Sequence, residues 1–181
     1  MLILPEFADD FHAELWDPNA WMQLFKSAGA RGIMFTTKHC DGYTHWKSPA
    51  KWNYNSVDKG PHQDVVAALA NTTRSEGMKL GFYYCDVEWG SPLIRMPNGE
   101  QWDSNCKHAD SNGPWDYSRY VDEVFQTELR DLVNKYEPDM FFPDFGGCLF
   151  NSTQLKSKEF LSWLYSSSPI KDKVVVGDRW G

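Results

Sequence analysis

The chain has 181 residues, enough for one domain with a sizeable core, and its 41% hydrophobic and 24% charged residues describe a globular chain rather than a disordered one. A net charge of −7, with no Lys/Arg run longer than two, argues against nucleic acid as partner, and no apolar run approaches the roughly 18 residues of a membrane span. Nine Trp among 15% aromatic residues fit either a sugar-stacking site or a Trp-rich core.

Met1 to Pro5 is too short for the apolar region of a signal sequence. Asp17 stands where it can cap a helix, Pro18 suits the first turn, and Trp21, Leu24, Phe25 and Ala28 repeat at helical spacing until Gly29. Arg31 to Thr37 reads as a buried strand, with Lys38 to Trp46 as a polar loop after it. A helix over about 63–76 buries Val65, Val66, Leu69 and Ala70, stops at Gly77 and feeds a strand from Lys79 to Cys85. The stretch over about 88–116, rich in Pro, Gly, Asn, Asp and Trp, is long for a connection, and such loops are usually functional or mobile. A third helix, about Tyr117 to Lys135, buries Val121, Val124, Phe125, Leu129, Leu132 and Val133, and Pro138 closes it. Asp139 to Asp144 is then a strand apolar enough to be covered on both faces. A fourth helix, about 157–166, precedes a fourth strand, Val174 to Gly177. The alternation is that of βαβ units and predicts a single α/β domain with a parallel sheet.

Cys40, Cys85, Cys106 and Cys148 stand 45, 21 and 42 residues apart, with no Cys-x-x-Cys pair and no Cys/His spacing of a zinc site. Disulfides stay open on this reading, and no metal or organic cofactor is implied. Two sequons, Asn71-Thr72-Thr73 and Asn151-Ser152-Thr153, mark Asn71 and Asn151 as glycosylation acceptors and point to the secretory route.

Each predicted strand ends in polar and aromatic residues: Lys38-His39-Cys40-Asp41, Tyr83-Tyr84-Cys85-Asp86 with Glu88-Trp89, Asp144, and Asp178-Arg179-Trp180. A parallel barrel assembles its site at the C-terminal ends of its strands, so four such clusters in phase point to one site. Taken singly, His39 fits a donor to a sugar hydroxyl or a core histidine, and Asp41 before Gly42 fits a turn. Asp144 ends an apolar strand and needs either a partner or a use. Arg179 is the natural partner, in a site or in a structural ion pair. Alternation with Leu80 and Phe82 facing outward turns Gly81, Tyr83 and Cys85 to the interior, which favours Tyr83 over Tyr84 as a lining residue.

The segments FHAELWDPNAWMQLFKSAGARG, TTKHCDGYTHWKSPAKWNYNSVDKGPHQDVV, LGFYYCDVEWGSPL and SKEFLSWLYSSSPIKDKVVVGDRWG, in this order, resemble successive blocks of the animal-type α-L-fucosidases of glycoside hydrolase family 29. The resemblance covers nearly the whole chain. It implies a partial (β/α)8 barrel with about four of eight βα units, so that residues 1–181 are part of a single catalytic domain. It implies a retaining exo-glycosidase that removes terminal α-L-fucose from fucosylated glycans through a covalent intermediate, in a lysosomal or secreted protein. Asp144 falls on the nucleophile, and Arg179 would hold it ionised by charge. His39 would donate to fucose hydroxyls, Tyr83 would line the pocket and Trp89 would form its apolar wall. The general acid/base would lie beyond Gly181 and the first strand before Met1, with Glu88 as a lower-ranked alternative acid. Half a barrel on its own would be inactive and prone to aggregate.

Two positions depart from the family pattern. His39-Cys40 stands where two histidines are common, replacing a donor by a thiol at a cost of about 1–3 kcal/mol of sugar binding. Phe145, next to Asp144, stands where the family usually has Gly, acidic and Trp residues. These changes leave open a catalytically inactive, lectin-like fucose binder, and a barrel enzyme acting on another sugar is a third reading. The oligomeric state, a homo-oligomer included, stays open.

Overall fold

The computed structural model describes residues 4–88, 91–94, 117–144 and 150–181. Four strands, β1 (Gly32–Lys38), β2 (Lys79–Cys85), β3 (Met140–Asp144) and β4 (Val175–Val176), lie side by side in the order of the chain, and every pair is parallel. Around them run α1 (Pro18–Ser27), before β1, then α2 (Val65–Ser75), the long helix α3 (118–136), and α4 (Ser157–Ser166). This is the wall of a (β/α)8-type barrel, four successive units long: the parallel sheet is the one that the alternation of the sequence predicts, and the partial barrel is the one that the resemblance implies.

Local chemistry fixes the element ends. The Asp17 carboxylate accepts from the backbone N–H groups of Asn19 and Ala20 at 2.8 and 3.1 Å, and Pro18 opens α1 where no donor is needed. Asp64 caps α2 by accepting from Ala67 N–H at 2.8 Å. The predicted third helix is one continuous element with a change of pitch: α-helical over Ser118–Tyr120, π-helical over Val121–Phe125 and α-helical again over Gln126–Tyr136. Glu137, in the left-handed conformation at φ 44°, and then Pro138 end it.

The core lies between the sheet and the helices. Leu80, Phe82 and Tyr84 of β2 and Phe141 of β3 point into it, against Val66, Phe125, Leu129, Leu132, Val133 and Phe160, all of which are fully buried. The opposite face of the sheet carries Met34, Tyr83, Met140 and Phe142, and there Met34 and Met140 remain more than two-fifths exposed. Within this chain the two faces of β3 therefore differ. With helices on one side only among the described residues, its residues alternate between buried and accessible. Gly81 on this face admits the Met34 side chain, whose Cε would lie 2.8 Å from any added Cβ.

The segment after β1 is also more than a polar loop. Cys40, Tyr43, Thr44 and Trp46 are buried, the Trp46 indole N–H donates to Asp131 Oδ2 at 3.0 Å, and Thr44 bridges to both Lys38 and Asn55. Trp46 and Trp180 are core residues, in keeping with the core reading of the composition, whereas Trp52 is exposed. Asn71, on α2, and Asn151 are both exposed. No helix among the described residues is long and apolar enough to cross a membrane.

Candidate active site

Register brings the strand ends together. Tyr83 pairs with Thr36 on one side and Phe142 on the other, and Cys85 pairs with Asp144. Because side chains alternate along a strand, Tyr83 and Asp144 emerge on the same accessible face at the C-terminal edge of the sheet. The Tyr83 hydroxyl donates to Asp144 Oδ2 at 2.7 Å. Burial comes first among the causes that raise the pKa of the phenol, with the hydrogen bond and charge of Asp144 adding to it, so Tyr83 remains a donor across the physiological range.

Arg179, three residues past β4, reaches the other oxygen of the same carboxylate, with Nη1 2.6 Å from Asp144 Oδ1. Its neighbour Trp180 anchors that segment. The buried Trp180 indole donates to Gly177 O at 2.7 Å, its carbonyl accepts from Ser157 Oγ at 2.6 Å, and its ring packs on Phe160 at 5.3 Å. His39 follows β1 and stacks on Tyr83, with ring centroids 5.6 Å apart and planes 10° apart. Phe142 stacks on Tyr83 at 6.0 Å and 18°. Since β1 and β3 flank β2, the Tyr83 ring is held between the two. His39, Tyr83, Asp144 and Arg179 thus form one group, and Trp89 lies outside the described residues, as do Phe145, Cys106 and Cys148.

Sequence reasoning missed a second polar group on the helix side of the same strand ends. The Lys38 side chain is fully buried, and its ammonium donates to Tyr84 Oη at 2.8 Å, Glu88 Oε1 at 2.9 Å and Tyr120 Oη at 3.1 Å. Glu128, also fully buried on α3, accepts from Ser48 Oγ at 2.6 Å and from Tyr84 Oη at 2.5 Å, and lies 3.5 Å from Lys38. Glu88 pairs with Lys51 as well. Burial works to raise the Glu88 pKa, but Lys38 and Lys51 outweigh it and hold the carboxyl below its usual range. A carboxylate so held is a poor proton donor, which counts against Glu88 as the general acid. Lys38 is the residue before His39, so this group fixes the end of β1 beneath the site.

The carboxyl of Asp86 is buried with no hydrogen-bond partner among the described residues. Burial pushes its pKa well up, against the attraction of Lys38, and the charge of Asp144 adds to the rise. Asp41 is a turn residue, as its place before Gly42 predicts: its Oδ2 accepts from Tyr43 N–H at 3.1 Å. Cys40 and Cys85 form a disulfide across the ends of β1 and β2, with Cα atoms 5.6 Å apart. The sequence spacing shows no Cys/His cluster, yet pairing of the strands gathers one ligand atom each from His39, Cys40 and Cys85 within 4.8 Å of one another.

Comparison with known proteins places this chain among relatives. A family profile described as Alpha-L-fucosidase matches residues 4–181. The tissue alpha-L-fucosidase of Bos taurus is 40% identical over 176 residues, covering 97% of this chain and 35% of the relative. That of Homo sapiens is 39% identical over the same length, with 97% and 35% covered. The structure of Thermotoga maritima alpha-fucosidase in complex with fucose superposes with a TM-score of 0.76 and 30% identity, over 98% of this chain and 38% of that one. Alpha-L-fucosidase isoenzyme 1 from Paenibacillus thiaminolyticus superposes with a TM-score of 0.78 at 26% identity, over 97% and 41%. The chain spans little more than a third of the length of the curated relatives it matches.

Proposed function

Because the chain belongs to the α-L-fucosidase family, we propose that the protein of which it forms a part hydrolyses terminal α-L-fucose from glycoconjugates with retention, and that Asp144 is the nucleophile. Residues 1–181 are then a portion of one larger catalytic domain. The observation that carries this reading is the grip on a single carboxylate at the sheet's C-terminal edge: Arg179 on Oδ1 and Tyr83 on Oδ2. Two donors on two oxygens fix the orientation of the group, and each oxygen keeps a lone pair for attack.

In the reaction, an Asp144 oxygen bonds to the anomeric carbon as the bond from that carbon to the glycosidic oxygen breaks. A second carboxyl group, about 5–5.5 Å away in retaining enzymes, gives its proton to the departing oxygen. The same group then takes a proton from water, and the water oxygen displaces Asp144 from the sugar. We place that acid/base in the part of the protein outside this chain, as the family resemblance implies; Glu88, which faces the helices in ion pairs, does not supply it. His39, exposed beside Tyr83, donates to sugar hydroxyls. Exposed Asn71 and Asn151 carry glycans, in keeping with a lysosomal or secreted protein.

The test is turnover of an aryl α-L-fucoside by the full-length protein. The first-formed fucose should be the α-anomer by NMR, and protein quenched during turnover should carry one fucosyl group on the peptide that contains Asp144. A β-anomer, or a label on another residue, overturns the assignment. Binding of fucosides without turnover would make the protein a lectin-like relative instead.

A further inference from the structure

The disulfide and the histidine beside it form a second chemical unit at the edge of the site. Cys40 follows β1 by two residues and Cys85 is the last residue of β2; both are fully buried, whereas His39 is exposed to solvent. One ligand atom from each of the three lies within 4.8 Å of the other two. A tetrahedral d10 ion with M–S near 2.3 Å and M–N near 2.0–2.1 Å needs S···S and S···N separations of about 3.8 and 3.6 Å. Adjacent parallel strands already hold the two sulfurs in reach of that geometry, and rotation about the side-chain bonds of His39 and the cysteines supplies the rest.

We propose that, once Cys40–Cys85 is reduced, His39, Cys40 and Cys85 form a three-ligand site for a thiophilic d10 cation of the zinc class, which the disulfide closes. Two equivalents of a thiol reductant leave as their own disulfide and convert Cys40–Cys85 into two thiols. The cation then displaces one proton from each thiol, and the imidazole adds its lone pair. Two thiolates balance the dication, and soft sulfur with one imidazole selects zinc, cadmium or copper(I) over magnesium or calcium. Solvent-side exposure of His39 leaves the fourth position to water, an open coordination rather than a closed structural one.

One consequence rests on the fucosidase reading. His39 stacks on Tyr83, which holds Asp144. A cation bound to His39 therefore occupies the rim of the sugar site and takes away a donor, so the reduced, metal-loaded protein is inhibited and the oxidised protein is indifferent to zinc.

The experiment uses full-length protein, either oxidised or reduced and freed of reductant, titrated with cadmium chloride while the ultraviolet cadmium–thiolate charge-transfer band is followed. Reduced protein should bind one equivalent more than the Cys40→Ser/Cys85→Ser protein, a difference that removes every other cysteine from the count. Oxidised protein should show no such excess. His39→Ala, at an exposed position that leaves the core intact, should weaken that equivalent by about tenfold or more. Equal cadmium binding by the reduced wild type and the double variant, or an affinity unmoved by His39→Ala, overturns the site. The activity arm is separate: zinc should depress fucoside turnover of reduced protein at least tenfold more than that of oxidised protein. If the band appears but turnover is unmoved, the site stands and the inhibitory consequence falls. If metal-free oxidised protein never turns over a fucoside, the functional reading falls and the cadmium result still decides the site.

Discussion

Tyr83 and Asp144 lie on neighbouring strands, 61 residues apart in sequence, and are joined by a 2.7 Å hydrogen bond from the phenol to the carboxylate. Among the described residues, stacking on His39 and Phe142 fixes the donor's ring. Tyr83→Phe should therefore keep the ring in place and remove only the donor. Loss of a hydrogen bond to a charged group is worth about 1.5–3 kcal/mol, roughly 10- to 150-fold in kcat/KM. We expect that fall to appear chiefly in kcat, with thermal stability nearly unchanged. Unaltered kcat would remove Tyr83 from the machinery.

Asp144→Ala should abolish turnover of an aryl α-L-fucoside, and azide or formate should partly restore it by entering the vacated space and attacking the anomeric carbon from the same side. A β-fucosyl azide is the expected product. Asp144→Asn should still bind fucose, since the amide keeps the shape and most of the hydrogen bonding. An α-configured adduct, or near wild-type turnover by the Ala variant, would be incompatible with Asp144 as nucleophile.

Arg179 is half exposed, with 51% of its side chain accessible, so its ion pair with Asp144 adds little to stability, on the order of 0–1 kcal/mol. Its role is to orient. Arg179→Ala should leave the melting temperature within a few degrees of wild type while lowering kcat/KM at least tenfold, and Arg179→Lys should recover only part of this because a point charge cannot reproduce the guanidinium's planar donors. A large stability loss with intact kinetics in the folded fraction would reverse that assignment.

Much of this arrangement is legible in the residues themselves. The alternation of Leu80, Phe82 and Tyr84 with Gly81, Tyr83 and Cys85 gives the facing of β2, and a carboxylate ending an apolar strand asks for Arg179. Proximity created by strand register is different. The β1–β2 pairing shifts between Thr36 and Lys38, so that Lys38 rather than Thr37 lies opposite Tyr84. Nothing local announces that shift, and it decides where Cys40 meets Cys85. Burial of charge is hidden for a similar reason: Lys38, Glu88 and Glu128 look like solvated residues in sequence, and only the packing of α3 over β2 encloses them.

That enclosure gives the fourth prediction. Lys38 and Glu128 are fully buried, so removing the cation leaves two carboxylates without their common partner. Lys38→Met should cost about 3–5 kcal/mol in urea unfolding of the full-length protein. Glu128→Gln, which preserves shape and some hydrogen bonding to Ser48 and Tyr84, should cost less. A loss below about 1 kcal/mol for Lys38→Met would mean that the group is solvated in the folded state.

His45 supplies a pH dependence with a definite sign. Its ring sits edge-on to Phe11, Phe35 and Tyr43, and its Nδ1 is buried without a hydrogen-bond partner among the described residues. Burial brings its pKa down to about 4, against a smaller opposing pull from Asp41. In the unfolded chain the imidazole titrates near 6.5, so below that pH the unfolded state takes up a proton that the folded state refuses. The contribution is fully present above pH ~6.5, falls by at most about 1.4 kcal/mol per unit as pH drops, and is exhausted below pH ~4, a total of up to about 3 kcal/mol. His45→Phe keeps an aromatic ring in the cluster and removes the titration. Unfolding free energies of the wild-type and His45→Phe proteins, compared between pH 7 and pH 4.5, should therefore diverge in favour of the variant as the solution is acidified. A difference that stays constant across this window would mean that His45 is protonated as readily folded as unfolded.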